Sequence, residues 1–545
     1  MVKYSVLFII LCCGLWLRVA AIHYGLPSKN LALTSYHPDE PKSFYSLEKM
    51  RQEKNLNPGD GLYWGSLHLY TLGAALQVAK WVGYVVAPSR EFLIQNLGYA
   101  DRLYMVGRLV SVFFGVASIF LMDALVAALL GPWYGLLAAF LLAVAPVHFI
   151  NSFVVRPDIM MLFWMLCTLW FALQFNKNPR SVFCILAGIC AGWAGATKYN
   201  GGLIVAVPFF VILLGHFSIK NIVLLGIACA VSFLAACPYV LLDFKTWISY
   251  MQANRGLVDV GREYLLYGPG WKSYWTIFLP YGLGVFTTVL SGSGIIFFSI
   301  NLLRNFFVNS ETNSETKLET KNYFLAFFLG FAALYIVTVL PRHQMVWYTL
   351  PMVPFIIFFA VYAIKVLRQT AGLWSCGILV FGLVLYNVPY AMAQLSLYRN
   401  ANVRELASAW MEQIIPAGKK IAITRSYSWT PGILRQYHPP YQILEGGSSQ
   451  SIPRDCVLGL PVAAASADFL VLTELETAPF VAEPISKIYP EPARVLQQWI
   501  PQNFEEKIVF EIDAEWMGIS FPKSEKDPDD WKMPNPRITI YKRKI

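Results

Sequence analysis

The sequence predicts a mainly α-helical, polytopic membrane protein that carries a small α/β domain outside the membrane. Three observations predict it. Of 545 residues, 56% are hydrophobic and only 14% charged, more apolar surface than a soluble chain of this length can bury. Apolar runs long enough, or nearly so, to cross a bilayer recur as far as residue 393. From about residue 398 the composition shifts to short helical and strand-like segments. The net charge of +10 fits cytoplasmic loops of a membrane protein, and no basic run is dense enough for nucleic acid.

The elements follow in order. Lys3 precedes an apolar run over 4–22 that is broken only by Arg18 and lacks a small-x-small cleavage site, so it reads as a retained first span with its amino end inside. The first outer loop, placed over 27–100, holds Tyr36-His37-Pro38-Asp39-Glu40-Pro41 and a short helix over 42–53. Residues 67–86 are apolar but carry His68, Gln77 and Lys80. Ten later runs, over 103–130, 134–150, 159–175, 182–196, 203–216, 222–242, 275–303, 323–340, 346–366 and 373–393, bring the expected total to about eleven spans.

Charge orients them. Lys177, Arg180, Lys220, Arg304, Lys317, Lys321, Lys365 and Arg368 fall in short connections. All are cytoplasmic, as the positive-inside rule prefers, only if 67–86 lies in the interface as a helix. The same parity gathers Asp39-Glu40, Arg156-Pro157-Asp158, Lys198-Tyr199, the loop 243–271, Arg342-His343 and the tail on the outer face. The division expected is a membrane domain over 1–396 and an extracytoplasmic α/β domain over 397–545. In the latter, 403–414 has helical periodicity, Pro416-Ala417-Gly418 is a turn, and 420–424, 467–473, 507–512 and 537–541 read as strands. No glycine-rich phosphate loop or nucleophile elbow is present. Of nine cysteines only Cys456 lies in the tail, and no CxxC occurs, which excludes a disulfide framework there.

Asp39 and Glu40 are the leading chemical candidates. A rim carboxylate stays ionised near neutral pH and accepts a proton from a hydroxyl. Adjacent helical residues point about 100° apart, so the two acids divide labour: Asp39 as base, Glu40 as a positioning or metal group. The plainer reading is a helix start, where Pro and acids are both favoured. Arg156 matches phosphate geometry, although Arg156-Pro157-Asp158 also fits a salt-bridged connection. Lys198 either meets the same anion or snorkels. Arg108 lies well inside an apolar helix, where a lone charge is costly, and needs a buried partner or an anionic headgroup. Arg342-His343 fits either a headgroup or a solvated turn. His37, His68 and His343 lack metal-ligand spacing, and a divalent metal is left open.

These stretches resemble the polyprenyl-phosphate-sugar-dependent glycosyltransferases of GT-C type, the branch of protein O-mannosyltransferases and aminoarabinose transferases. The first span followed by His37-Pro38-Asp39-Glu40 is similar to that family's first outer loop. Further stretches match in order: Gly107-Arg108-Leu109-Val110-Ser111, Ala145-Pro146-Val147-His148, Arg156-Pro157-Asp158, Ala196-Thr197-Lys198-Tyr199-Asn200-Gly201 and Pro238-Tyr239-Val240-Leu241-Leu242-Asp243-Phe244. Arg404-Glu405-Leu406-Ala407 through Ile415-Pro416-Ala417-Gly418 is similar to the outer domain of bacterial members, which points to a bacterial inner membrane with the tail in the periplasm. The resemblance implies an inverting transfer. Asp39 deprotonates an acceptor hydroxyl of a glycan, lipid or protein, and the hydroxyl attacks a lipid-phosphate sugar. Glu40, His37, Arg108, Arg156, Asp158, Lys198, Tyr199, Arg342 and His343 then serve substrate binding. A transporter is the competing class, but it calls for repeated halves that are not found. A sensor with a ligand-binding outer domain predicts no consequence of changing Asp39.

Overall fold

The computed structural model describes residues 2–86, 89–260, 262–307 and 315–544, and the Lys317 side chain lies outside what is described. Seven helices among the described residues are long and apolar enough to cross a membrane, including Val2–Val19, Leu97–Leu130 and Asp158–Lys177. Three shorter apolar helices, Pro132–Val144, Ser181–Thr197 and Tyr199–Gly215, pack among them. The last long helix, Val353–Arg399, bends at Gly372, whose φ of 85° takes it out of helical geometry. Counting its two limbs separately accounts for the roughly eleven spans that hydropathy predicts. The helix Leu67–Trp81, with 15 residues, is not among the long apolar helices.

Side chains such as Ile119, Met122, Leu162, Leu166, Phe355 and Phe358 are fully buried between helices. Phe8, Phe113, Trp374 and Phe381 face outward and stay exposed, as suits helices whose solvent is lipid. The protein is an integral membrane protein.

The C-terminal part is a five-stranded sheet with a small hairpin. Its strands are β1 (Lys420–Ile423), β2 (Gln442–Glu445), β3 (Phe469–Thr473), β4 (Phe504–Phe510) and β7 (Ile538–Arg543), and β5 (Ala514–Trp516) pairs with β6 (Ile519–Phe521). The order is β2-β1-β3-β7-β4, parallel through β2, β1 and β3 and antiparallel through β7 and β4. The helix Val403–Ile414 buries Val403, Ala407 and Met411 against this sheet.

Two arginines fasten the sheet domain to the loop after the first span. Arg435 donates to Asn30 Oδ1 (2.9 Å) and Thr34 Oγ1 (2.8 Å). Arg404 is fully buried, donates to the Pro534 (2.9 Å) and Met533 (2.7 Å) carbonyls, and lies 4.5 Å over the Tyr36 ring. Gly25 makes this loop possible. At φ +50° its missing Cβ leaves room for the Tyr36 ring, which a side chain would meet at 2.2 Å.

Candidate active site

The site begins where a helix does. Asp39 is the N-cap of Glu40–Glu53, with Pro41 in the first turn, yet its side chain makes no capping hydrogen bond. Asp39 Oδ1 instead accepts from Lys42 Nζ at 2.8 Å, and Oδ2 lies 3.7 Å from Arg156 Nε. The helix-start reading therefore describes the backbone of this residue and not its carboxylate. Burial alone raises the Asp39 pKa, but the charges of Lys42 and Arg156 outweigh it and hold the carboxyl well below the usual range.

Glu40 has a different task. It is fully buried and accepts from Arg108 Nε (2.9 Å), Arg108 Nη2 (2.7 Å), the Val155 N–H (2.9 Å) and Ser35 Oγ (2.5 Å). Arg108 spends Nη1 on the Ile22 and Tyr24 carbonyls, both at 2.7 Å. Both residues are expected to bind substrate; in the structure their polar groups are used on each other, on Ser35 and on backbone. Through Val155, Glu40 sets the loop that carries Arg156, so the acid next to Asp39 positions the cation opposite Asp39.

Arg156 is only 3% exposed. Its Nη2 pairs with Asp158 (3.2 Å), Nη1 donates to Asn151 Oδ1 (3.3 Å), and its guanidinium stacks 4.3 Å from the Trp347 ring. Its Nε makes no hydrogen bond. Asp158, the first residue of its helix, also accepts from Lys198 Nζ at 2.7 Å, and Lys198 lies 5.4 Å over Tyr348. Charges therefore alternate from Lys42 through Asp39, Arg156 and Asp158 to Lys198, three cations to two acids. The surplus positive charge suits an anion.

The remaining expected residues scatter. His37 stacks near Trp347 at 6.1 Å and takes the Asp39 N–H on Nδ1 (3.2 Å). Burial lowers its pKa to about 4, so it is neutral at physiological pH. His343 pairs with Glu263 at 2.9 Å, and its ring lies 5.7 Å from that of Tyr348. Arg342 is exposed and stacks over Tyr264. Tyr199 donates to the Leu62 carbonyl (2.6 Å) and packs with Trp247, so the structure does not bring it to the charged array. Among the described residues no group of three His, Cys, Asp or Glu side chains has metal-holding geometry. Glu40 is saturated, and Asp39 and Asp158 already face cations. That donor set does not fit a divalent ion.

Three participants escape sequence reasoning. Lys42 looks like a surface helix residue. Trp347 falls at the start of the apolar run over 346–366, where it reads as one more span residue. Asp530, from the C-terminal domain, accepts the Trp347 N–H at 3.2 Å. Burial pushes its carboxyl up to about 7, against hydrogen bonds from the Trp347 and Val346 amides. Beside the array, a cavity of about 380 Å³ runs from Lys42 past Lys49, Tyr63, Trp64 and Tyr250.

The structure is thus a helical membrane bundle with a buried, net-cationic array at the ends of its helices. Residues 75–254, about a third of the chain, match the family model described as dolichyl-phosphate-mannose-protein mannosyltransferase. The match spans Arg108, Arg156, Asp158 and Lys198, and on it the chain is a membrane glycosyltransferase. No curated protein matches the sequence. Similar solved structures include the Archaeoglobus fulgidus oligosaccharyltransferase tethered to an acceptor peptide with the NVT sequon, at 12% identity over 97% of this chain and 77% of that one, TM-score 0.49. Another is ArnT from Cupriavidus metallidurans bound to undecaprenyl phosphate, at 12% identity over 99% and 97%, TM-score 0.42. At these values the likeness yields no residue correspondence.

Proposed function

We propose that the chain moves a sugar from a polyprenyl-phosphate donor to an acceptor hydroxyl of a glycan, lipid or protein by an inverting displacement, with Asp39 as general base. The acceptor oxygen bonds to the anomeric carbon as the bond from that carbon to the phosphate oxygen breaks. Asp39 takes the hydroxyl proton, and polyprenyl phosphate departs. Arg156, Lys198 and Lys42 stabilise the charge on the leaving phosphate, a term that is commonly large. Asp158 orients Arg156 and Lys198. The cavity beside Lys42 receives the donor head, with Trp64, Tyr63 and Tyr250 as apolar faces for a sugar ring.

The observation that carries this reading is Arg156: a buried guanidinium whose Nε has no hydrogen bond, set 3.7 Å from the candidate base. The array lies on the outer face of a bacterial inner membrane, with the C-terminal domain in the periplasm. Purified Asp39→Asn protein is to be compared with the parent for transfer from polyprenyl-phosphate sugars. The expected result is loss of roughly 10²–10⁴-fold in turnover, and full transfer by the variant would remove Asp39 as base. Cysteine labelling at residue 178 tests the topology; labelling from outside the cell would overturn it.

A further inference from the structure

The hairpin of β5 and β6 belongs to the C-terminal part of the chain, yet it lies beside the last membrane helix. Ser396 Oγ accepts the Glu515 N–H at 3.4 Å. The Phe521 ring lies 5.1 Å from that of Tyr390 and 6.5 Å from that of Tyr386. Both tyrosines fall inside the apolar run over 373–393, about 4 and 10 Å before its end at the helical rise per residue. Phe521 therefore stands at the level of the apolar run and not above it. The surface around it faces lipid. Phe381 and Leu385 of the same helix, and Phe286 and Val289 of the helix Val285–Phe307, are all exposed, and the Phe286 ring lies 4.9 Å from that of Tyr386.

Strand alternation gives the hairpin two unlike faces. On one, Ala514 pairs with Phe521 and Trp516 with Ile519; on the other, Glu515 pairs with Ser520. Ala514, Trp516 and Phe521 pack on a cluster that includes Leu17 of the first span and Ala391 and Leu395 of the last helix. Glu515 and Ser520 are exposed. The apolar face does not stop where its packing stops: Ile519 is 47% exposed, and Met517 at the tip is 82% exposed.

The tip residue runs against the needs of the turn. Met517 and Gly518 link the strands with φ of +50° and +80°. A two-residue turn with both φ values positive favours Asn, Asp or Gly in its first position, because a bulky side chain is crowded there. Met517 is therefore held at a cost, and it fills no core in return. An apolar medium around the tip accounts for it where water does not. On the same side of the bundle the exposed Arg399 guanidinium lies 5.8 Å over the Trp16 ring, at the ends of the last and first helices. Arg and Trp at span ends mark the level of the lipid headgroups.

We infer that the β5–β6 hairpin is seated in the bilayer, in the leaflet on the C-terminal domain's side, with Met517 and Ile519 among the lipid headgroups and upper acyl chains and Glu515 and Ser520 toward water. The occupant of this face is a phospholipid surface, because the face continues the lipid-exposed surface of the two neighbouring helices. The seat is independent of the transferase reading. It has a consequence for the site: the chain runs from the hairpin straight into the stretch where Asp530 accepts the Trp347 N–H, so lipid moors the same part of the domain that reaches the charged array.

The test is fluorescence quenching on the full chain in nanodiscs of phosphatidylethanolamine and phosphatidylglycerol, loaded with a single protein per disc. p-Azidophenylalanine replaces Met517, Ile519 or Ser520 in separate preparations and is coupled to an environment-sensitive dye, which leaves the native cysteines untouched. The dye at 517 and at 519 is expected to lose most of its emission to phospholipid that carries a nitroxide high on its acyl chain, and little to aqueous iodide. At 520 the order is expected to reverse. Two tip positions guard against a label that unseats the hairpin, since a true seat quenches at both. Iodide quenching at 517 and 519 equal to that at 520, without quenching by nitroxide lipid, overturns the inference. So does shielding from both quenchers that appears only with two proteins per disc, which assigns the face to a second copy of the chain.

Discussion

Replacing Arg108 by Met isolates what the buried ion pair does. Both Arg108 and Glu40 are fully buried, and Glu40 receives four hydrogen bonds, two of them from Arg108. Removing the guanidinium leaves an uncompensated carboxylate, a loss of about 3–5 kcal/mol. Glu40→Gln leaves the complementary cation facing only the Ile22 and Tyr24 carbonyls and is expected to cost a similar amount. The double variant buries no charge, so it should be more stable than either single variant, with a coupling energy of about 2–4 kcal/mol. Loss of Arg108 also raises the Glu40 pKa above its unfolded value. The Arg108→Met deficit should therefore shrink as pH falls from 8 to 5, because a proton then neutralises the stranded acid. Thermal unfolding in detergent, followed by tryptophan fluorescence at both pH values, measures all of this. Additive single losses, or a pH-independent deficit, would refute the claim that the two side chains form one buried unit.

Two further outcomes follow from the same geometry. Arg156→Lys keeps the charge but loses the planar fork and the stacking on Trp347, so kcat/KM for the lipid-phosphate donor should fall roughly 10–100-fold with little change in melting temperature; an unchanged value would remove Arg156 from phosphate binding. Asp530 has its folded pKa raised to about 7, above the unfolded value near 4, so its contribution is present below pH ~4 and is lost as pH rises through about 7. The effect is at most about 4 kcal/mol, and Asp530→Asn should flatten that part of the stability profile between pH 4 and 7, a result that thermal shift across the pH series either shows or contradicts.

The spans were legible because an unbroken run of about eighteen apolar residues suits a bilayer core and little else. Asp39, Arg156, Asp158 and Lys198 were legible because charges at span ends are rare and costly, and the structure brings these four together. The division between Asp39 and Glu40 could be argued only in outline. The partner that decides it, Arg108, lies 68 residues away, and Val155 acts through its backbone, which has no sequence signature. Asp530 and Trp347 meet only when the two domains pack. In the sheet, β1 and β3 show as apolar runs, but β2 has four residues and alternates too briefly to register. The strand expected over 507–512 forms earlier, over Phe504–Phe510, because an irregularity in pairing between Glu506 and Ile508 breaks the period-2 pattern.

The low pKa of Asp39 looks at first like an argument against a base, since a strongly ionised carboxylate holds a proton poorly. The same contacts resolve it. Lys42 and Arg156 are what depress the pKa, and under the proposed function they are also the groups that meet the donor phosphate. Binding that phosphate turns part of their positive field away from Asp39 and sets a new negative charge nearby, and both changes raise the affinity of Asp39 for a proton. Under the proposed function, Asp39 is then a competent base only when the donor is seated. When the phosphate leaves, Arg156 and Lys42 return to Asp39, its pKa falls, and the proton it took is released. Under the proposed function, the alternating order of charges, with the base held between two phosphate-binding cations, couples proton transfer to donor occupancy.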